Sequence, residues 1–303
     1  MNPTSSSGKP RVSVVMPAYR AARYIAETLA SLEEQSCTEW ELLVFEDGEH
    51  DATASIVEGF AARVPQKVQL VRSASSIGVS KARNRLMDRA TGDCVAFLDS
   101  DDTWHPDHLR HSLELLATGE GEWVIGGLNL IDSDSRLIRA DVIAPPMPVG
   151  EIPTALLRHN FILTSSMVLD RRVFEGGLRF DAGLKIGEDL DLCIRLIEAG
   201  FRPIFSSRAT LNYRKHGSST TADSVRFNDE FARVFEKHLI NPVVDSGYCL
   251  SALKGYLTNV IRMTWRRNPR LALAAAGRLG RSFIRSRTAA DAAISPPCPN
   301  PIP

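Results

Sequence analysis

Three carboxylates, Asp99, Asp101 and Asp102, fall within the stretch FLDSDDTWHP (97–106), directly after the apolar run Cys94–Leu98. Like charges this close repel one another, and a chain leaving a buried strand has few solvated places to spread them. A positive group is therefore expected beside them. Two answers are open at this level. Asp102 or Thr103 caps a helix starting near Pro106, with the other acids solvated. Alternatively, the carboxylates hold a hard cation such as Mg²⁺ or Mn²⁺, which takes one or two carboxylates and completes its shell with water and phosphate oxygens. A nucleoside diphosphate is then the natural second ligand.

The elements that must position these acids favour the cation. VSVVM (12–16), ELLVF (41–45), VQLVR (68–72) and CVAFLD (94–99) predict four strands. A helix-like stretch follows each one. PAYRAARYIAETLASLEEQ has Ile25, Leu29 and Leu32 on one face, and DATASIVEGFAAR comes next. SKARNRLMDRATG closes at Gly92, and PDHLRHSLELLATG has Pro106 at its first turn. Repeated strand–helix units predict an α/β fold with a mostly parallel sheet covered on both faces. Such sheets bind ligands beyond the carboxyl ends of their strands. Pro17-Ala18-Tyr19, Asp47 and the acidic cluster all fall there, which points to a single site.

Beyond residue 120 the alternation loosens. WVIGGLNLID (123–132), SSMVLD (165–170), PIFSS and TLNYR predict short strands. GLKIGEDLDLCIRLIEAG predicts a buried helix that begins near Glu188 and closes at Gly200. Residues 225–288 read as basic amphipathic helices, and ISPPCPNPIP as a disordered tail.

The chain has 303 residues, with 36 basic and 36 acidic side chains unevenly spread. No acid occurs between Asp245 and Asp291, where Lys254 and eight arginines from Arg262 to Arg287 fall, so the rest is net acidic. The basic segment suits packing on the acidic part of the chain, the leading reading, or peripheral contact with an anionic membrane through 254–288. No aromatic stacking platform accompanies the charge, so nucleic acid is not expected as a partner. The cysteines are scattered, odd in number and without a CxxC pair, which speaks for a reducing compartment and against a disulfide framework or zinc site. The polar start MNPTSSSGKP and the lack of an apolar run near roughly 18 residues predict a soluble, cytoplasmic chain.

Four ordered blocks carry a resemblance. SVVMPAYRAARYIAETLASLEEQ, FEDGEHDAT, IGVSKARNRLMDRATGDCVAFLDSDD and GEDLDLCIRLIEAG resemble, in order and spacing, glycosyltransferase family 2, over about residues 11–220. The resemblance implies the GT-A fold and an inverting, metal-dependent transfer from a nucleotide-sugar donor. It implies that Pro17, Ala18 and Tyr19 line the base and ribose, and that Asp47 hydrogen-bonds the base. Glu46 and Glu49 stand where the family usually has Asp and Ser, and Ser76 where it often has Asn, departures that bear on base selectivity. Arg83 would reach the nucleotide or its phosphates. Asp101 would contact the metal, Asp99 the ribose or a metal-bound water, and His216 in YRKHGSS would complete the metal shell or contact the diphosphate.

An acceptor hydroxyl attacks an anomeric carbon only if its proton is taken. Asp189 is the implied base, with Glu188 orienting acceptor or base and Asp191 structural. One base opposite the leaving group implies in-line displacement with inversion. Thr164, Ser165 and Ser166 receive no role. The expected organisation is a flexible N-terminus (1–10) and a GT-A domain (11–222), with a nucleotide-binding half (11–119) and an acceptor half (120–222). A basic helical segment (223–288) and a disordered Pro-rich tail (289–303) follow. A UDP-sugar is the expected donor, with dTDP and GDP as alternatives, and the acceptor is a glycan or a lipid-linked glycan. The location is cytoplasmic, peripheral at the inner face of the membrane if the basic segment meets lipid.

Two other readings compete. A nucleotidyltransferase usually has a Gly-rich phosphate loop after its first strand, and MPAYRAARY offers none. A degenerate nucleotide- or glycan-binding protein would be signalled by loss of Asp99/Asp101 or Glu188/Asp189, and both pairs are present.

Overall fold

The computed structural model describes residues 10–48, 51–144, 147–158, 161–217 and 223–294, with side chains up to residue 286. Glu49, residues 1–9 of the expected N-terminus and 295–303 of the expected tail lie outside the described residues.

The first four strand–helix units form as predicted: β1 (Val12–Ala18), α1 (Ile25–Glu33), β2 (Trp40–Asp47), α2 (Thr53–Ala61), β3 (Val68–Ser73), α3 (Val79–Met87), β4 (Cys94–Phe97) and, after the two-residue strand β5 (Thr103–Trp104), α4 (His108–Ala117). The strands β3-β2-β1-β4 lie side by side and parallel. Side chains alternate across them with the period of two that a strand imposes. Val15, Leu43, Phe45, Val95 and Phe97 enter one core, which also takes in Leu86 of α3. Val12, Val14, Met16, Leu42, Val44 and Ala96 enter the other, against Ile25, Leu29 and Leu32. Each large side chain buried this way contributes about 1.5–3 kcal/mol relative to exposure.

The second half adds β6 (Trp123–Ile131), β7 (Leu137–Val142), α5 (Ile152–Arg158), β8 (Met167–Asp170), α6 (Arg171–Glu175), α7 (Glu188–Glu198) and β9 (Pro203–Arg214). β8 runs antiparallel to both β4 and β6, whereas β9 is parallel to β6. The sheet is thus mostly parallel, as expected, with the antiparallel strands confined to its second half. PIFSS and TLNYR are one strand, not two. β9 continues through the Ser206–Arg208 irregularity, where the Ser206 hydroxyl accepts from the Arg208 amide, and changes register against β6.

α3 stops at Met87, short of Gly92, because the next residues are claimed by the sheet. The Thr91 amide donates to Glu41 Oε1 and the Gly92 amide to Ser13 Oγ.

Three helices close the chain: α8 (Ser224–His238), α9 (Ser246–Thr264) and α10 (Pro269–Ile294), the last running into the stretch assigned to the tail. α8 packs on α7 through Phe231, Val234 and Phe235, and α9 joins the same core through Cys249, Leu253 and Leu257. Buried Asp191 of α7 is held by Lys237 and His238 of α8 and by Arg195, which keep its carboxyl ionised well below the ordinary range against the effect of burial. Asp191 is structural, as expected.

Candidate active site

The acidic loop leaves β4 at the carboxyl edge of the sheet and is fixed from behind. Neither Asp102 nor Thr103 caps α4. Thr103 begins β5, and α4 starts only at His108, after Asp107. Asp102 is instead 1% exposed and accepts the Arg214 amide at 2.9 Å. The helix-cap reading is therefore corrected, because the loop folds onto β9 before any helix begins. The fully buried Arg214 completes the clamp, with Nε on the Asp101 carbonyl at 2.7 Å, Nη1 on Ser135 Oγ at 2.8 Å and Nη2 on Glu27 at 2.7 Å. Ser165 receives the Asp99 amide at 3.0 Å on its hydroxyl, and its carbonyl takes the Trp104 indole N–H at 2.8 Å. Of the hydroxyl triplet left without a role, Ser165 is thus a brace for the loop, while the Ser166 hydroxyl donates to the Leu163 carbonyl at 2.8 Å.

Asp99 and Asp101 stay partly exposed on this frame, their side chains 30% and 37% accessible. Burial and the neighbouring Asp99 charge push the Asp101 carboxyl up, and His216, with Nε2 2.8 Å from Asp101 Oδ2, pulls it part of the way back. Asp102 is pushed further up, by burial and then by the charges of Asp101 and Asp99. The cluster is an under-neutralised anionic site. Two carboxylates and an imidazole are a donor set that fits Mg²⁺ or Mn²⁺ with phosphate oxygens as further ligands. No preassembled metal centre of three or more His, Cys, Asp or Glu occurs among the described residues.

Arg83 joins the two halves of the chain. It is 2% exposed, with Nη2 2.6 Å from Asp99 Oδ1 and Nη1 2.8 Å from Glu188 Oε1. Its guanidinium carbon lies 5.2 Å from the centre of the Phe180 ring, while buried Nε has no hydrogen-bond partner. Burial works against its charge, but Asp99 and Glu188 more than restore it. Arg83 therefore holds Asp99 of the acidic loop and Glu188 of α7 in one geometry.

Glu188 and Asp189 open α7. Gly187 precedes them at φ +79°, and a side chain there would also press on Val234 of α8 at 3.0 Å. Glu188 is buried against Arg83, while Asp189 is half-buried, with Oδ1 accepting the Leu190 amide at 2.7 Å. Tyr213 on β9, missed in the sequence, registers the convergence. Burial and then the charges of Asp102, Asp101, Asp99 and Asp189 push its phenol up.

The remaining predicted residues lie at the same sheet edge. Pro17 and Ala18 are buried at the end of β1 and Tyr19 is 52% exposed beyond them. Asp47 accepts from Ser76 Oγ at 2.9 Å, from the Ile77 amide at 2.6 Å and from the Gly78 amide at 2.9 Å. It organises the 76–78 loop, and Ser76 is its partner. Gly48, at φ +93°, lets that loop approach, since a Cβ would lie 2.6 Å from the Ser76 nitrogen.

Comparison with other proteins bears on the family and the fold. Residues 13–176 match the family described as Glycosyl transferase family 2. The chain is 35% identical over 243 residues to the amylovoran biosynthesis glycosyltransferase AmsB of Erwinia amylovora, covering 75% of this chain and 78% of that one. It is 31% identical over 160 residues to the Escherichia coli UDP-Glc:alpha-D-GlcNAc-diphosphoundecaprenol beta-1,3-glucosyltransferase WfgD, covering 53% and 60%. Its fold is similar to that of S. aureus TarS 1-349 in complex with UDP-GlcNAc, with a TM-score of 0.63, 18% identity and coverage of 92% and 81%. It is also similar to the mannosyltransferase PcManGT from Pyrobaculum calidifontis in complex with GDP-Man and Mn²⁺, with a TM-score of 0.61, 18% identity and coverage of 95% and 82%. With its GT-A-type sheet and a family match across more than half its length, the chain belongs to glycosyltransferase family 2, a family of enzymes that transfer glycosyl groups.

Proposed function

We propose that this enzyme moves a sugar from a nucleoside diphosphate donor to a hydroxyl of a glycan or lipid-linked glycan, with inversion, during synthesis of a cell-surface polysaccharide. One observation carries the reading: buried Arg83 donates to Asp99 of the acidic loop at 2.6 Å and to Glu188 at the start of α7 at 2.8 Å, which brings the two predicted sets of acids together. The AmsB relative supports the polysaccharide context, and WfgD, whose name specifies a UDP-linked donor and a diphosphoundecaprenol acceptor, supports UDP and a lipid-linked acceptor. The reaction is assigned to the cytoplasm.

The donor's base and ribose lie against Pro17, Ala18 and Tyr19, beside the 76–78 loop that Asp47 organises. Asp99, Asp101 and His216 are the residues that would hold a divalent cation, and its charge would offset that of a departing diphosphate. Arg83 keeps Asp99 oriented and fixes Glu188 so that Asp189 is presented to the acceptor. Asp189 takes the acceptor hydroxyl proton as the oxygen attacks the anomeric carbon and the bond to the diphosphate breaks on the opposite side.

The test is thermal stability with UDP, dTDP, GDP and ADP, each with and without Mn²⁺, on the wild type and Asp101→Ala. A ligand that binds only the folded chain raises Tm according to its affinity. The expected outcome is a rise with one nucleotide, only with metal, and absent in Asp101→Ala. No rise with any nucleotide and metal would defeat the reading.

A further inference from the structure

Packing uses only part of the basic C-terminal segment. Arg278 is consumed by Asp229 and Glu236 of α8. α10 buries Ala272, Ala275 and Ser282 on its inner face. Its outer face is also apolar: Leu273 is 61% exposed and Ile284 is 66% exposed, and helical periodicity sets both on one stripe. The same periodicity puts exposed Arg270 and Arg281 along one edge of that stripe. At the corner between α9 and α10, Trp265 is 57% exposed beside a shallow cleft of about 520 Å³ that it lines with Arg262, Arg266 and Arg267.

We propose that this face docks on an anionic phospholipid surface, with the arginines against lipid phosphates and Trp265, Leu273 and Ile284 at the headgroup boundary. The charge pattern selects this occupant. From residue 246 to 290 there is no acid, so a second copy meeting the face with its own would bring like charges together. Aromatic and aliphatic side chains flanked by arginine are the composition of an interfacial helix. The whole chain carries no net charge, so the attraction comes from this face and not from the protein at large. No helix among the described residues is long and apolar enough to cross a membrane, so the contact is peripheral. The inference does not rest on the transfer reaction; it concerns where the chain sits.

The experiment is co-sedimentation of the full chain with vesicles of phosphatidylcholine alone or mixed with phosphatidylglycerol, at low and high salt. Binding is expected only to the anionic vesicles and is lost at high salt. At about a factor of five per arginine, R266Q/R267Q/R270Q weakens binding about a hundredfold. L273S/I284S also weakens it, while circular dichroism and the nucleotide-induced rise in Tm stay unchanged in both variants. Equal binding to both vesicles, no binding to either, or binding indifferent to both variants overturns the proposal. So does a dimer in light scattering that L273S/I284S dissociates, which would assign the face to a second copy. Loss of nucleotide response in the wild type would defeat the catalytic reading and leave this one standing.

Discussion

The two ends of the parallel sheet each bury carboxylates, and treat them in opposite ways. At the amino end, Glu41 of β2 is 0% exposed, yet its carboxyl lies below the ordinary range. Burial alone would raise it, but Lys67, the Ser13 hydroxyl and both the amide and hydroxyl of Thr91 donate to it. At the carboxyl end, Asp101 and Asp102 are pushed up, because their hydrogen bonds do not offset burial and mutual repulsion. A carboxylate with a full complement of donors is part of the architecture. Carboxylates crowded at the ligand edge with too little positive charge are held ready for something that brings it.

The contrast is sharpest if substitutions at the two ends fail differently. Asp189→Asn gives the largest expected effect, a fall in kcat of about 10²–10⁴-fold for loss of a general base. Nucleotide-dependent stabilisation should survive, as differential scanning fluorimetry with metal and donor would show. Asp101→Ala should lower kcat/KM by about 10²–10³-fold and remove the metal-dependent rise in Tm. Its Tm without ligand should not fall, because a repelled charge has been taken away. A large drop in that ligand-free Tm would break the comparison.

Glu41→Ala should do the reverse. Leaving Lys67, Ser13 and Thr91 without their shared acceptor costs about 3 kcal/mol in a denaturant titration, with kcat of the folded fraction unchanged. The smallest effect concerns a third buried titratable group, His108, which stacks on Trp104 at 4.3 Å and meets Thr210 Oγ1 at 2.8 Å. Burial, and then the nearby His111 charge, bring it down to about 3, below its value in the unfolded chain. The unfolded chain therefore binds the extra proton first as pH falls. Stability present above about pH 6.5 is lost toward pH 3 at about 1.4 kcal/mol per unit. Urea titrations at pH 7 and pH 5 should differ by about 2 kcal/mol from this residue, and His108→Phe should remove that difference.

The acidic loop shows how far sequence reasoning reached. Its place after β4 was legible because four strand–helix units with clear apolar runs set the sheet edge in advance. Its architecture was not. Asp102 reads as a helix cap until β9, more than a hundred residues later, supplies the Arg214 amide. β5 is two residues long and exists only by pairing with β9, and β7 is an exposed strand without buried alternation, so neither leaves a local signal.

Residue order and type alone determined the α/β class, the four βα units, the edge at which Asp47, Asp99 and Asp101 collect, and the acid pair opening α7. These depend on local periodicity and on the chain direction of strands, both of which are properties of short stretches. The tertiary structure alone decided that Arg83 bridges Asp99 to Glu188, that Asp47 orders the 76–78 loop and that Ser165 and Arg214 brace the acids from behind. It also decided which arginines of the basic segment are spent on α8 and which remain on the surface. Each of those choices is a pairing between groups far apart in the chain, and a charge carries no mark of its partner until the fold brings the two within hydrogen-bond reach.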